Sequence, residues 1–205
     1  MTARTLRGID LAAKFALVLL LVHAVAFPDL PQYHGKGIVS RLVTYPISAL
    51  LVPGIWWLGR RRWRGRAYPY VIDLCVVAPF LIDTLGNALN LYDTITWWDD
   101  AMHFVTWVPW VTAFGLAIRS RGHLRRFDVA AITIGFGAVT HIAWELLEYV
   151  AFIRTNPNEF STAYTDTLGD LLLSLCGSIT GGLLAATVLW NRSPGGSRTP
   201  PRAAR

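Results

Sequence analysis

A single charged side chain, Asp170, occurs among the 24 residues at 167–190, TLGDLLLSLCGSITGGLLAATVLW. A helix needs about 20 mostly apolar residues to cross the hydrocarbon core of a bilayer, so this run predicts a transmembrane helix. The composition of the chain agrees, because 53% of its 205 residues are hydrophobic and its mean hydropathy is +0.39. We therefore expect a protein embedded in a lipid bilayer.

Further runs of similar length are almost free of charge, which predicts an all-α, polytopic transmembrane helix bundle of about six spans. The predicted spans cover 11–27, 42–59, 69–91, 101–118, 128–152 and 167–190. We expect residues 1–191 to form a single transmembrane helical domain. The segment 192–205 is rich in Pro, Gly, Ser and Arg, which predicts a disordered cytoplasmic tail.

Basic residues are concentrated on one side of the predicted membrane. Of the 19 Lys and Arg residues, 15 precede the first span or follow the second, fourth and sixth spans. Because loops rich in Lys and Arg stay in the cytoplasm, we expect cytoplasmic termini in a bacterial plasma (inner) membrane. Arginine loops that face anionic lipid also explain the net charge of +6, so we expect no nucleic-acid partner.

The first span leaves an alternative open. It has a basic start, a short apolar run from Phe15 to Val22 and an Ala24-Val25-Ala26 ending, which is the outline of a cleavable signal peptide. The remaining spans would keep their orientation in either case.

Six ionisable side chains lie in or beside the last three spans. They are Asp99, His103, Glu145, Glu148, Asp166 and Asp170. A charged group costs about 2.5–3.5 kcal/mol at the bilayer centre on insertion scales and occurs mainly where it pairs or lines a functional cavity. Within each span the spacing is i,i+4 or i,i+3, which places the members on one helix face. All six fall in the predicted outer half of the membrane, where we expect a functional site.

Two more residues are candidates for this site. His141 extends the face of Glu145 and Glu148, and Asp83 heads an i,i+4,i+7 series with Asn87 and Asn90 on the third span. Asp73 lies about 15 Å from Asp83 along that helix, so we leave it out and expect it to pair with the arginines at 60–66. The small residues of Gly177-x-x-x-Gly181 predict close approach of another helix.

Carboxylates that share a low-dielectric pocket cannot all stay ionised without compensation. His103 or His141 could carry a proton, some carboxyls could stay neutral, or a divalent metal ion could bind. Oxygen ligands with one or two imidazoles suit Mg²⁺, Mn²⁺, Fe²⁺ or Zn²⁺. Capping of a helix start is the alternative for Asp166, and for Asp99 with Asp100.

Three ordered motifs carry a resemblance to a known family. WWDDAMHF at 97–104, WELLEY at 144–149 and DTLGDLLLSLCG at 166–177 resemble motifs of the YjdF-like family of uncharacterised bacterial inner-membrane proteins. The first motif is also similar to one in VanZ-like proteins. The resemblance implies a polytopic inner-membrane protein and implies no reaction. This chain departs from the pattern at Ser174, where many relatives have an acid.

Three functions fit this pattern. The first is a metal-assisted or acid/base enzyme on a lipid or lipid-linked substrate. In it Glu145 and His103 are catalytic, and the metal ligands are Asp99, His103, Glu148, Asp166 and Asp170. The second is a proton- or cation-coupled transporter, and the third a non-catalytic membrane factor. A transporter needs a continuous polar path, and the inner halves of the spans are apolar apart from Asp73, Thr133 and Thr180, which favours the enzyme.

Overall fold

The computed structural model describes residues 1–34, 36–120, 122–151, 153–155 and 160–187, and all regular structure in these ranges is helical. Six helices are long and apolar enough to cross a membrane. They are α1 (Ala3–Ala26), α2 (Ile38–Leu58), α3 (Tyr70–Ala88), α5 (Trp98–Arg119), α6 (Arg126–Ala151) and α7 (Ala163–Ala186). The short helix α4 (Leu91–Thr94) and 3-10 turns at Pro31–Tyr33 and Ile153–Thr155 lie between them. The predicted six-span, all-α fold is confirmed, whereas the predicted tail at 192–205 lies outside the described residues.

Contacts between helices give the relative directions of the first three spans. Lys14 of α1 contacts Asp73 in the first turn of α3, and Leu17 and Val77, further along each helix, lie in one core cluster, so these two helices run parallel. Arg41 near the start of α2 pairs with Asp83 near the end of α3, so α2 runs the opposite way. We call the side where α1 begins the N-terminal side and the opposite side the far side. That the N-terminal side faces the cytoplasm stays a prediction.

Helix α5 lies at the centre of the bundle, where it contacts α3, α6 and α7. Small residues let α7 approach it closely. A Cβ atom added at Gly177 would lie 2.6 Å from the carbonyl oxygen of Phe104, and one added at Gly181 would lie 2.6 Å from that of Val108. The close approach predicted from Gly177-x-x-x-Gly181 is confirmed.

Five of the six spanning helices begin earlier than the hydropathy of the sequence predicts, and in α5 and α7 this changes the position of acidic residues. Thr162 is the N-cap residue of α7, so Asp166 lies inside the first turn, and the predicted capping role for Asp166 is wrong. Trp97 is the N-cap residue of α5, so Asp99 and Asp100 also lie in a first turn. Backbone groups near a membrane are satisfied by extending the helix, which carries it past the end of the apolar run. These carboxylates still interact favourably with the helix N-termini.

Candidate functional site

His103 is the residue on which the predicted site is built. It lies in the second turn of α5 and is 8% exposed. Its Nε2 atom is 3.3 Å from Asp170 Oδ1 on α7, and its Nδ1 atom is 3.9 Å from Glu145 Oε1 on α6. The imidazole therefore lies between two carboxyl groups on two neighbouring helices, near the far side.

Asp99 joins His103 and Asp170 in a first group that could hold a metal ion, which we call the Asp99 set. Each of the three offers one ligand atom, and these atoms lie within 4.8 Å of one another. Asp170 is buried, whereas Asp99 is exposed. The Asp99 set thus reaches from the interior of the bundle to its surface.

A second group, the Glu145 set, contains His103, His141 and Glu145, again with ligand atoms within 4.8 Å of one another. His141 Nε2 and Glu145 Oε1 are hydrogen-bonded at 3.0 Å, and both residues are buried. The ring of Trp107 lies against His141, with 5.1 Å between centroids. The imidazole–carboxyl pair is therefore held in a packed environment.

Asp170 is not satisfied by the groups around it. Its Oδ1 atom is buried and has no hydrogen-bond partner among the described residues, although His103 Nε2 is only 3.3 Å away. The separation allows an ion pair, but the two groups are not aligned for a hydrogen bond. A buried polar atom without a partner costs about 1–3 kcal/mol or more, so this oxygen needs a cation or a proton.

Ser174 positions the imidazole. Its hydroxyl donates to the backbone carbonyl oxygen of His103 at 3.3 Å and lies 3.3 Å from His103 Nδ1. Ser174 is fully buried, one turn beyond Asp170 on α7. A hydroxyl therefore lies directly against the central histidine.

Glu148 and Asp166, also predicted as metal ligands, lie around the site. Glu148 is half-buried, one turn beyond Glu145, and Asp166 is exposed, one turn before Asp170. The charges of Glu145, Asp99 and Asp166 all act on Glu148. Within the described ranges, neither residue belongs to a compact ligand group. Together with Asp99 they form an acidic rim around the buried groups.

Asp83, the additional candidate on α3, has a full set of partners of its own. Arg41 Nε donates to its carboxylate at 2.9 Å, and the hydroxyls of Tyr45 and Tyr92 donate as well. Burial, and then the carboxylate of Asp83, raises the pKa of Tyr92 above its ordinary value, so that this phenol remains a donor. Since Asp83 already has a cation and several donors, it has no need of a metal ion.

The partners of Asp73 differ from the expected arginines at 60–66. Lys14 Nζ and the hydroxyl of Tyr68 both donate to Asp73 Oδ2, and Lys14 also donates to Asp10. The expectation was wrong because α1 packs beside α3 and brings its own lysine to this carboxylate. The i,i+4 spacing of Asp10 and Lys14 within an apolar helix was the signal in the sequence.

One protein-family model covers both ligand groups and the acidic rim. The model of a family described as "Predicted membrane protein (DUF2238)" matches residues 12–191, a range that includes the two ligand groups and the acidic rim. No curated protein matches the chain, and no solved structure does.

Proposed function

The chain belongs to the DUF2238 family of predicted membrane proteins, which is the YjdF-like family, and we propose its function from its own residues. In this proposal the Asp99 set binds a divalent metal ion, and the protein is a metal-assisted enzyme acting on a lipid or lipid-linked substrate. The resemblance of the three motifs to this family is confirmed. A multi-pass membrane protein follows from the six long apolar helices. The metal, the substrate class and the bacterial inner membrane are proposals.

The unpartnered Asp170 Oδ1 atom opposite His103 Nε2 carries the metal proposal. We place the Ser174 hydroxyl proton on the His103 carbonyl oxygen, so that the hydroxyl oxygen accepts the ring proton from His103 Nδ1. We accordingly assign a lone pair to Nε2. Two acceptors face one another at 3.3 Å. Zn–N and Zn–O bonds of about 2.0–2.2 Å at a tetrahedral angle would place the two ligand atoms roughly 3.4 Å apart.

The charges of the Asp99 set fit a divalent ion. The carboxylates of Asp99 and Asp170 would balance its two charges, and neutral His103 would complete three protein ligands. Three ligands with an open position are typical of catalytic rather than structural metal sites. An ion so placed would supply a Lewis acid and would activate a bound water.

Glu145 is the proposed general base. It is hydrogen-bonded to His141 and lies on the other side of the His103 ring from Asp170. A neutral imidazole offers one lone pair, so His103 cannot serve the Asp99 set and the Glu145 set at once. Glu145 thus remains available to accept a proton from a water or a substrate hydroxyl. The rim of Glu148 and Asp166 would attract cations to the entrance.

The depth of the site supports a lipid substrate. His103 and Asp170 lie five and seven residues inside the starts of α5 and α7. At 1.5 Å per residue this is about 8–10 Å, which places the site in the hydrocarbon core just below the headgroups of the far side. Exposed Trp97 at the start of α5 is typical of that interface. A lipid could present its headgroup to the site while its chains stay in the membrane.

Transport is the second candidate, and a line of buried hydroxyls favours it. Ser174, Ser178, Thr112 and Thr133 are buried below Asp170, toward the N-terminal side. However, Ser174, Ser178 and Thr112 each donate to a backbone carbonyl, which fixes them as part of the helix packing. The enzyme is therefore the better-supported proposal.

A comparison of lipid extracts tests the enzyme. Cells that express the wild-type protein and cells that express Asp170→Asn at equal level should differ in at least one lipid species by mass spectrometry. Purified wild-type protein should convert that species in vesicles, and a chelator should stop the conversion. Asp93→Asn, on an exposed carboxylate, is the matched control and should behave as the wild type. Identical extracts from wild-type and Asp170→Asn cells would count against an enzyme.

A further inference from the structure

A second buried ionic cluster lies at the N-terminal side, away from the proposed metal site. Lys14 Nζ is 3.0 Å from Asp10 Oδ2 and also donates to Asp73 Oδ2, which accepts from the Tyr68 hydroxyl as well. We call these four residues the Lys14 cluster. It joins α1 to the start of α3 by contacts between residues 59 positions apart in the chain.

The charges of the Lys14 cluster do not balance. Asp73 is 0% exposed and Asp10 is 2% exposed, and one ammonium group lies against both carboxyls. Burial, and then the Asp73 carboxylate, raises the pKa of Tyr68, so this phenol stays neutral. If both carboxyls were ionised, the cluster would carry a net charge of −1 in a low-dielectric interior, which is strongly unfavourable.

The two carboxyl groups also hold unused acceptors. Asp10 Oδ1 and Asp73 Oδ1 are buried and find no hydrogen-bond partner in the part of the chain that the structure covers. The two carboxyl groups contact the same ammonium nitrogen of Lys14, so they lie close to one another. A pair of acidic groups in contact commonly holds one proton between them, because like charges so near cannot both ionise.

Lys14 makes a metal ion a poor occupant. Its ammonium already lies between Asp10 and Asp73, so a second cation in the same place would be repelled. Among the described residues, Tyr68 donates to Asp73 and Tyr70 packs against the Tyr68 ring, and both are phenols. A proton supplies the missing positive charge without needing further ligands.

We propose that Asp10 and Asp73 share one exchangeable proton, which makes the Lys14 cluster a proton-binding site at the N-terminal side of the bundle. The proton adds to one carboxylate and forms a carboxylic acid whose O–H is donated to the other. An apolar core that includes Leu17, Tyr45 and Val77 lies beyond the cluster, on the path toward Asp83. The proton therefore exchanges with water on the N-terminal side alone, and its binding couples the docking of α1 on α3 to the pH there.

Infrared spectroscopy of the full chain in lipid nanodiscs tests this proposal. At neutral pH the wild-type protein should show the C=O band of a protonated carboxylic acid that shifts in heavy water. Asp10→Asn and Asp73→Asn should each lower that band by about one group, because the remaining carboxylate pairs one-to-one with Lys14. Lys14→Met should raise it by about one group, since both carboxyls must then be neutral.

Controls separate this site from the rest of the protein. Asp29→Asn removes an exposed carboxylate and should leave the band unchanged. A chelator should not affect the contribution of Asp10 and Asp73. Equal bands in the wild type and both Asn variants would overturn the proposal, as would an unchanged band in Lys14→Met. A band that appears only when Na⁺ is removed would also overturn it, in favour of a sodium site.

Discussion

His103 Nε2 lies 3.3 Å from Asp170 Oδ1, yet across the described residues this buried oxygen has no hydrogen-bond partner. With the ring proton assigned to Nδ1, toward the Ser174 hydroxyl, Nε2 is an acceptor as well. Two acceptors that face one another inside a helix bundle are stable only with a positive charge between them. The proposed metal centre depends on this contact between His103 and Asp170.

Ser174→Ala should weaken metal binding about 10- to 100-fold, because partners that orient a ligand histidine typically contribute that much affinity. The variant should still insert, since alanine fits the same space on α7. Titration of purified protein with Zn²⁺ or Mn²⁺ measures the change. Ser120→Ala, on an exposed hydroxyl beyond the end of α5, is the control. Equal metal affinity in both variants would show that Ser174 does not orient His103 for metal binding.

Gly177→Ala should lower the melting temperature, because its Cβ would lie 2.6 Å from the backbone oxygen of Phe104 and would push α7 away from α5. Overpacking of this kind costs roughly 1–3 kcal/mol. Gly135→Ala is a matched control on α6, where an added Cβ meets nothing within 4 Å among the residues that the structure describes. It should be neutral or stabilising, as glycine inside a helix is about 0.5–1 kcal/mol worse than alanine. A Gly177→Ala variant as stable as Gly135→Ala would contradict the close packing.

Arg41→Gln should destabilise the protein by roughly 3 kcal/mol, because it leaves the Asp83 carboxylate without its cation in a partly buried place. The double variant Arg41→Gln with Asp83→Asn should recover much of that loss, since neither charge then remains unpaired. Thermal unfolding in detergent compares the three proteins. A double variant less stable than Arg41→Gln would show that Asp83 is stabilised by its tyrosine donors rather than by the ion pair.

The predicted orientation is tested by labelling in intact cells. In a background without Cys75 and Cys176, an impermeant thiol reagent should label Ser161→Cys and should leave His123→Cys unlabelled. The reason is that basic residues accumulate on the cytoplasmic side, which we predict to be the N-terminal side. The reverse result would place the Asp99 set and the Glu145 set at the cytoplasmic face.

The spans and the site-facing residues could be predicted from the sequence for one physical reason. Apolar length identifies a membrane helix, and i,i+4 spacing within it identifies a polar face, so the grouping of Asp99 and His103 follows from the sequence alone. Partners on other helices could not be predicted in this way. Lys14 and Asp73 meet because α1 packs beside α3, and hydropathy along the chain does not report which helices are neighbours.

The helix starts were predicted less well for a related reason. The N-terminal turn of α7 contains Tyr164, Thr165 and Asp166, which lower the mean hydropathy and place the predicted start too late. The chain remains helical there because backbone hydrogen bonds have few other partners near the membrane. Asp166, predicted as a metal ligand with capping as the alternative, therefore lies in the first turn of α7, at the rim of the site.

Elemental analysis of the purified protein tests the central claim most directly. The account predicts close to one divalent ion per chain, since His103 can complete only one of the two ligand sets that share it. Asp170→Asn, which keeps the size of the side chain and removes its charge, should insert normally and lose the ion, and chelation should lower the melting temperature of the wild type. A metal-free wild-type protein, with Asp170→Asn at least as stable, would contradict the metal centre and show that the cluster is kept neutral by protons.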